Sequence, residues 1–193
     1  MNHIILFGPP GSGKGTQAKI LSETLSYKHI STGDLFRYHV KENSSFGLSI
    51  TSYINRGLLV PDSLTTEMLK ETLLKEKEQK TKGFIYDGYP RTITQAESLD
   101  KILAESSLGS ITKVFVFRAP DGDLVSRILK RAKDSHREDD QDPAIIRKRI
   151  REYYEKTLKV SDYYKHRGIL VELDALDNIE DISNLIKKEI LQA

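Results

Sequence analysis

At 193 residues the chain has the length of one domain able to bury a sizeable core, and nothing calls for a second. Thirty Lys and Arg against 28 Asp and Glu leave a net charge of +2, which excludes a global field drawing the protein onto DNA or anionic lipid. Cysteine is absent, which excludes disulfides and thiolate zinc sites, so no zinc is expected. Any anion binding must therefore be local, with no nucleic acid and no membrane as partner. The N-terminus lacks the basic region, apolar core and cleavage site of a signal peptide. Apolar runs of about four residues are too short to span a bilayer, and a cytoplasmic location is the expectation.

The first element is a strand at Ile4–Phe7, followed directly by GPPGSGKGT from Gly8 to Thr16. After it Gln17, Ala18, Ile20, Leu21 and Leu25 repeat at helical spacing. Strand, glycine-rich loop and helix are the order a phosphate-binding loop requires. Gly8, Gly11 and Gly13 permit positive φ, so successive N–H groups can converge on phosphate oxygens at a helix N-terminus. Lys14 adds a positive charge on a stem long enough for the β- and γ-phosphates. The pattern is G-x-x-x-x-G-K, but Gly15 follows, so the hydroxyl expected on Mg²⁺ moves one place to Thr16. The competing reading is a glycine turn that merely joins a strand to a helix.

A second strand at Tyr27–Ile30 leads into Thr32-Gly33-Asp34, where Thr32 or Asp34 can cap a helix or face a ligand. Arg37 lies one turn further on. Asp62 can cap a helix whose Leu64, Met68 and Leu73 share a face, and the mixed-charge run Lys75–Lys82 reads as a solvated helix end. The third strand, Phe84–Tyr86, ends at Asp87, which can meet Mg²⁺ beside the loop or simply serve a turn. Gly88 and Pro90 shape a tight turn presenting Arg91, whose guanidinium can clamp phosphate with two parallel hydrogen bonds.

A fourth strand at Val114–Phe117 precedes an arginine-rich stretch, and six of the eleven arginines lie between Arg127 and Arg151. Arg127 and Arg131 share a helical face, and Arg137 follows closely. Asp142-Pro143 opens a helix carrying Ile146, Ile150 and Tyr153; Arg149 adjoins that stripe and is expected to face inward, Arg147 and Arg151 outward. The last strand is Ile169–Leu173, and Asn178 caps a helix with Ile179, Ile182, Ile186 and Ile190. Strands alternating with helices argue for an α/β fold with a mostly parallel sheet covered on both faces. Gly8–Thr16, Ser31–Arg37 and Asp87–Arg91 each follow a strand, the edge where open α/β sheets bind ligands. The five histidines form no metal-spaced pair, and no nucleophile–base pairing occurs. Transfer onto a phosphate acceptor needs no general base, because the attacking oxygen is already ionised near neutral pH.

In order and spacing, GPPGSGKGT, ISTGDLFR from Ile30, GLLVPD from Gly57, DGYPRTITQA from Asp87, RILKR from Arg127 and REDD from Arg137 resemble the adenylate kinases over essentially the whole chain. The resemblance implies one domain over 1–193 with the P-loop NTPase fold: a five-stranded parallel sheet, helices on both faces, a mobile AMP-binding segment at 31–60 and a short lid at about 131–137. It implies a monomer carrying out reversible transfer, ATP + AMP = 2 ADP, with Mg²⁺ accompanying ATP. Gly11, Ser12, Gly13, Lys14, Gly15 and Thr16 would wrap the ATP phosphates, Arg127 would stack on its adenine, Arg131 would hold its phosphates, and backbone near Asp177 would approach its base. Asp87 would orient hydrated Mg²⁺. Thr32 and Gln95 would contact the AMP base, and Arg37 and Arg91 its phosphate. Leu58, Leu59 and Val60, with Gly88, Tyr89 and Pro90, would wall the pocket. Arg137 and Arg149 would reach the transferring phosphoryl group and the AMP phosphate.

One departure is that Gln141 to Arg149 runs one residue longer than the family pattern. Uridylate/cytidylate kinase is the near alternative; Thr32 and Gln95 favour AMP, because the pyrimidine enzymes resemble SAGD at the first position and carry asparagine at the second. A non-catalytic P-loop switch is the distant alternative. It would need no acceptor site, and the guanine-reading N-K-x-D motif is absent.

Overall fold

The computed structural model describes residues 1–77, 81–135 and 137–192. Five strands, β1 (Asn2–Phe7), β2 (Lys28–Ser31), β3 (Gly83–Asp87), β4 (Lys113–Arg118) and β5 (Leu170–Asp174), form one parallel sheet in the order β2-β3-β1-β4-β5. Central strands covered on both faces read as continuous apolar runs, and Ile4 to Phe7 and Val114 to Phe117 are all buried. The helices are α1 (Lys14–Leu25), α2 (Thr32–Lys41), α3 (Ser45–Asn55), α4 (Asp62–Lys77), α5 (Ile93–Glu105), α6 (Asp121–Ser135), α7 (Pro143–Glu152), α8 (Leu158–Lys165) and α9 (Ile179–Leu191). A 3₁₀ turn, Glu138–Asp140, precedes α7, and a π-helical turn, Tyr153–Thr157, joins α7 to α8.

Strand alternation sorts the core into two layers. Ile5, Phe7, Phe84, Tyr86, Val114 and Val116 pack against Leu69 and Leu73 of α4, Leu99 and Leu103 of α5, and Val160 and Tyr164 of α8. Ile4, Leu6, Ile85, Phe115 and Phe117 pack against Ala18 and Leu21 of α1 and Ile182, Ile186 and Ile190 of α9. His3 is wholly buried in this sheet: Nε2–H donates to the Leu108 carbonyl at 3.0 Å, so Nδ1 accepts from Tyr86 O–H at 2.7 Å. Two smaller clusters lie outside the sheet. Phe36, Ile50, Val60 and Met68 hold α2 and α3, and Leu124, Ile128, Ile146 and Ile150 hold α6 to α7.

The strands begin or end within one or two residues of the sequence reading. Tyr27 precedes β2 and packs under the sheet instead, and the Ile169 carbonyl accepts from Val114 N–H just before β5 starts. Asp142 and Asn178 cap α7 and α9 as expected. Two caps differ. Ser31 Oγ, and neither Thr32 nor Asp34, accepts from Asp34 N–H to start α2, because Ser31 is the last residue with extended backbone. Asp62 stands inside the first turn of α4, and its carboxylate is engaged by α5. Part of the charged run 75–82 lies outside the described residues; within it Glu76 pairs with Lys28 at 2.9 Å. No helix among the described residues is long and apolar enough to cross a membrane.

Candidate active site

Sheet register assembles the site. Asp87 pairs with Leu6 on one side and Ser31 on the other, so the loops after β1, β2 and β3 open at one edge. A cleft of about 1180 Å³ runs along it, bounded by Gly8 and Pro10 to Gly13, by Gly33, Asp34 and Arg37, by Leu58 to Val60, by Gly88, Pro90 and Arg91, and by Arg127, Arg131, Arg137, Arg149 and Asp177. Of the residues expected here, Thr32, Tyr89 and Gln95 are absent from its lining, and all three side chains are buried behind it. The expected lid lies at 131–137, of which His136 falls outside the described residues.

Gly11 and Gly13 take φ of +83° and +90°, turning the loop so that α1 begins at Lys14. A Cβ on Gly11 would lie 2.8 Å from the Leu124 carbonyl and 2.9 Å from Ile128, so the loop fits against α6 only with glycine there. Lys14 Nζ donates to the carbonyls of Gly8 at 2.6 Å and Pro9 at 2.9 Å. Burial lowers the Lys14 pKa to about 8; Asp87 works against this, and Arg91, Arg131 and Arg149 add to it. Burial alone would raise the Asp87 pKa, but His29, Lys14 and Arg91 hold the carboxyl below its ordinary value and therefore ionised. His29 Nε2 lies 3.7 Å from Asp87 Oδ2.

The arginines converge from separate elements, each oriented by a named partner. Arg91 Nε donates to the Gly88 carbonyl at 2.7 Å, and burial beside Arg149 lowers its pKa to about 10. Arg131 grips the fully buried Asp140 with Nε at 2.7 Å and Nη2 at 2.9 Å, a bidentate pair. Arg149 Nη1 shares that carboxylate at 2.8 Å and also meets Asp139 Oδ2 at 2.9 Å. It faces inward, while Arg147 and Arg151 are exposed, as the apolar stripe implied. Asp34 pairs with Arg37 and lies 3.4 Å from Arg137, so one carboxylate links α2 to the segment before α7. These two arginines hold the Asp34 carboxyl below its ordinary pKa despite its partial burial. Arg127 Nη1 donates to the Ala175 carbonyl at 2.9 Å, fixing the turn that carries Asp177.

The three buried residues hold the cleft wall from behind. Thr32 Oγ1 donates to the Gly88 carbonyl at 2.9 Å. Gln95 Oε1 accepts from Arg91 N–H at 2.7 Å, and its Nε2 donates to Asp62 Oδ1 at 2.8 Å. Tyr89 turns its ring into the core, where its hydroxyl donates to the Gln95 carbonyl at 3.1 Å and accepts from Thr66. Sequence reasoning gave no site role to His29, Asp62, Asp139 or Asp140, and left Asp34 between a helix cap and a ligand contact. The one signal available was the adjacency of acidic residues to arginines in TGDLFR and REDD.

The donors present suit a hard divalent cation, since Asp87 offers an ionised oxygen at the cleft beside the loop. Among the described residues no group of three or more His, Asp or Glu gathers as a metal site. The family model described as adenylate kinase matches residues 6–169. The chain is 40% identical to the adenylate kinase of Flavobacterium psychrophilum and 42% identical to that of Flavobacterium johnsoniae, each over 190 residues covering 98% of both chains. It is 40% identical to the adenylate kinase of Leptospira biflexa over 190 residues, 98% of this chain and 100% of the relative.

Proposed function

The chain belongs to the adenylate kinase family, and from that membership we propose that it moves the γ-phosphoryl group of MgATP reversibly onto AMP, giving two ADP. The observation that carries this reading is the convergence of Lys14, Arg91, Arg131 and Arg149 on one cleft beside the glycine loop. Such crowding is unfavourable by itself, and the facing phosphates of two bound nucleotides relieve it.

ATP enters on the side of the glycine loop, where the backbone of Gly11 to Thr16 and the Lys14 ammonium receive its phosphates. Arg127 and the turn at Asp177 receive the base. AMP enters on the side of Gly33 to Val60 and Gly88 to Arg91, with Arg37 and Arg91 on its phosphate; Thr32 and Gln95, which back the wall in this structure, reach its base when the segment 31–60 moves. Asp87 would hold magnesium through water, and the ion would supply positive charge to the phosphate oxygens. An ionised AMP oxygen attacks phosphorus in line, so the chain positions both groups and supplies charge without abstracting a proton.

Asp34, Asp139 and Asp140 already occupy the arginines, so an incoming phosphate competes with carboxylates for the same forks. Exchange of Asp34 for phosphate on Arg37 and Arg137 links substrate binding to movement of 31–60 and of the lid at 131–137, which excludes water from the transfer. The enzyme acts as a cytoplasmic monomer on this reading.

The test is ADP formation with MgATP and a panel of AMP, GMP, UMP and CMP. Turnover requiring both nucleotides, and fastest with AMP, is expected. Faster UMP or CMP turnover overturns the acceptor assignment, and nucleotide binding without transfer overturns the reaction.

A further inference from the structure

Gln95 is 2% exposed, and both ends of its side-chain amide are committed to groups that allow one orientation only. Arg91 N–H can only donate, so the atom 2.7 Å from it is Oε1. Asp62 Oδ1 is a carboxylate oxygen and accepts, as Oδ2 does from Thr92, so the atom 2.8 Å from it is Nε2. Rotating the amide by half a turn would set N–H against N–H at one end and oxygen against oxygen at the other. Asp62 is held in its turn, since Thr92 Oγ1 donates to Asp62 Oδ2 at 2.7 Å while accepting from Gln95 N–H at 3.2 Å. The carboxylate stands at the start of α4 and the amide at the start of α5, so the pair is set by the meeting of two helix N-termini.

After these bonds the amide keeps one N–H and one lone pair, in fixed places. Adenine presents an N6–H donor beside a ring-nitrogen acceptor on either of its hydrogen-bonding edges. A 6-oxopurine carries an acceptor where adenine donates, and its N1 carries a hydrogen. A fixed amide complements the first pattern and opposes the second, whereas one free to rotate would accept either.

We propose that Asp62 is a specificity-determining residue: by locking the Gln95 amide in one orientation it makes the acceptor site select adenine over 6-oxopurine monophosphates. This rests on Gln95 reading the acceptor base, and Asp62 acts entirely through it. A carboxylate serving only to staple α4 to α5 would affect all acceptors alike.

The experiment compares AMP with IMP as acceptors, at saturating MgATP, in the wild type, Asp62→Asn, Gln95→Leu and the double variant, with a melting curve for each. Asparagine keeps the shape but can present either an oxygen or an N–H to Gln95, so it removes the Asp62 half of the lock without emptying the space and leaves only the Arg91 N–H to orient the amide. The ratio of kcat/KM for AMP to that for IMP is expected to fall at least tenfold in Asp62→Asn, mainly through a raised KM for AMP, with KM for MgATP within twofold. In the Gln95→Leu background, Asp62→Asn is expected to leave the ratio unchanged. An equal loss for both acceptors in Asp62→Asn, or the same drop in ratio with and without Gln95, overturns the proposal. A wild type that does not prefer AMP, or a Gln95→Leu variant that keeps full preference, overturns instead the underlying reading of the site. Should Asp62→Asn melt below the assay temperature, Asp62→Glu supplies the comparison: it remains acceptor-only, so any folded fraction must retain the wild-type ratio, and loss of that ratio also overturns the proposal.

Discussion

Arg91 combines burial, a fixed Nε and a place in the wall of the cleft. Arg91→Ala is expected to lower kcat at least tenfold at saturating nucleotides, a loss of about 1.4 kcal/mol or more in transition-state stabilisation; steady-state turnover near the wild type would remove it from the transfer step. Lys14 gives a pH dependence. Its pKa of about 8 means that the free enzyme loses the ammonium as pH rises through that value, so kcat/KM for ATP is expected to fall above about pH 8. The effect on stability has the opposite sign. Between about 8 and the ordinary lysine value of 10.5 the unfolded chain binds the proton that the folded chain has released, so Lys14's contribution to stability rises with pH across that window. A profile of kcat/KM flat to pH 9 would contradict the assignment. The glycine loop, Lys14 and Arg91 were legible in the sequence because each combines a rare residue type with a strand-to-loop position. Asp139 and Asp140 were not, since a carboxylate beside an arginine in sequence ordinarily means a solvated face. Only folding reveals that Asp140 is wholly buried.

Among the elements, the strands were legible from apolar runs alone, while α3 went unassigned within the segment 31–60. Its start is a Ser44 cap on Gly47 N–H, and its buried face uses Phe46, Ile50 and Ile54, which pack on α2 and not on the sheet. The reason for glycine at position 47 is visible only in three dimensions. A Cβ there would stand 2.1 Å from the His39 carbonyl oxygen and 2.5 Å from its carbon, both backbone atoms of α2. Gly47→Ala is therefore expected to force α2 and α3 apart at a cost of about 1–3 kcal/mol, measurable by urea unfolding, and to raise KM for AMP more than KM for ATP. A stability change under about 0.5 kcal/mol would show that the crossing yields easily.

Across the whole molecule, the sheet holds the larger clusters, while α2 with α3 and α6 with α7 rest on small ones of four buried residues each. Segments with few buried apolar contacts open at lower free energy. Amide exchange is therefore expected to be faster in α2, α3, α6 and α7 than in β1, β3 and β4, and to slow in those helices when MgADP is added; uniform protection would argue against independent segment motion. The two regimes meet along a single rod of helix, α7 through the π turn to α8. In sequence its buried residues Ile146, Ile150, Tyr153, Thr157, Val160 and Tyr164 keep one unbroken helical rhythm. In space the wide turn at Tyr153–Thr157 absorbs one residue without the usual rotation of about 100°, so the same stripe meets α6 above it and α5 and the sheet below. The turn thus lets one apolar stripe serve two partners in different directions, Leu124 and Ile128 of α6 before it and the sheet layer after it. Removing one exposed residue from the turn, Glu155, is expected to wind it into ordinary α-helix and leave a folded, active enzyme melting within about 4 °C of the parent, where a deletion elsewhere in the rod would turn every later side chain away from its partner.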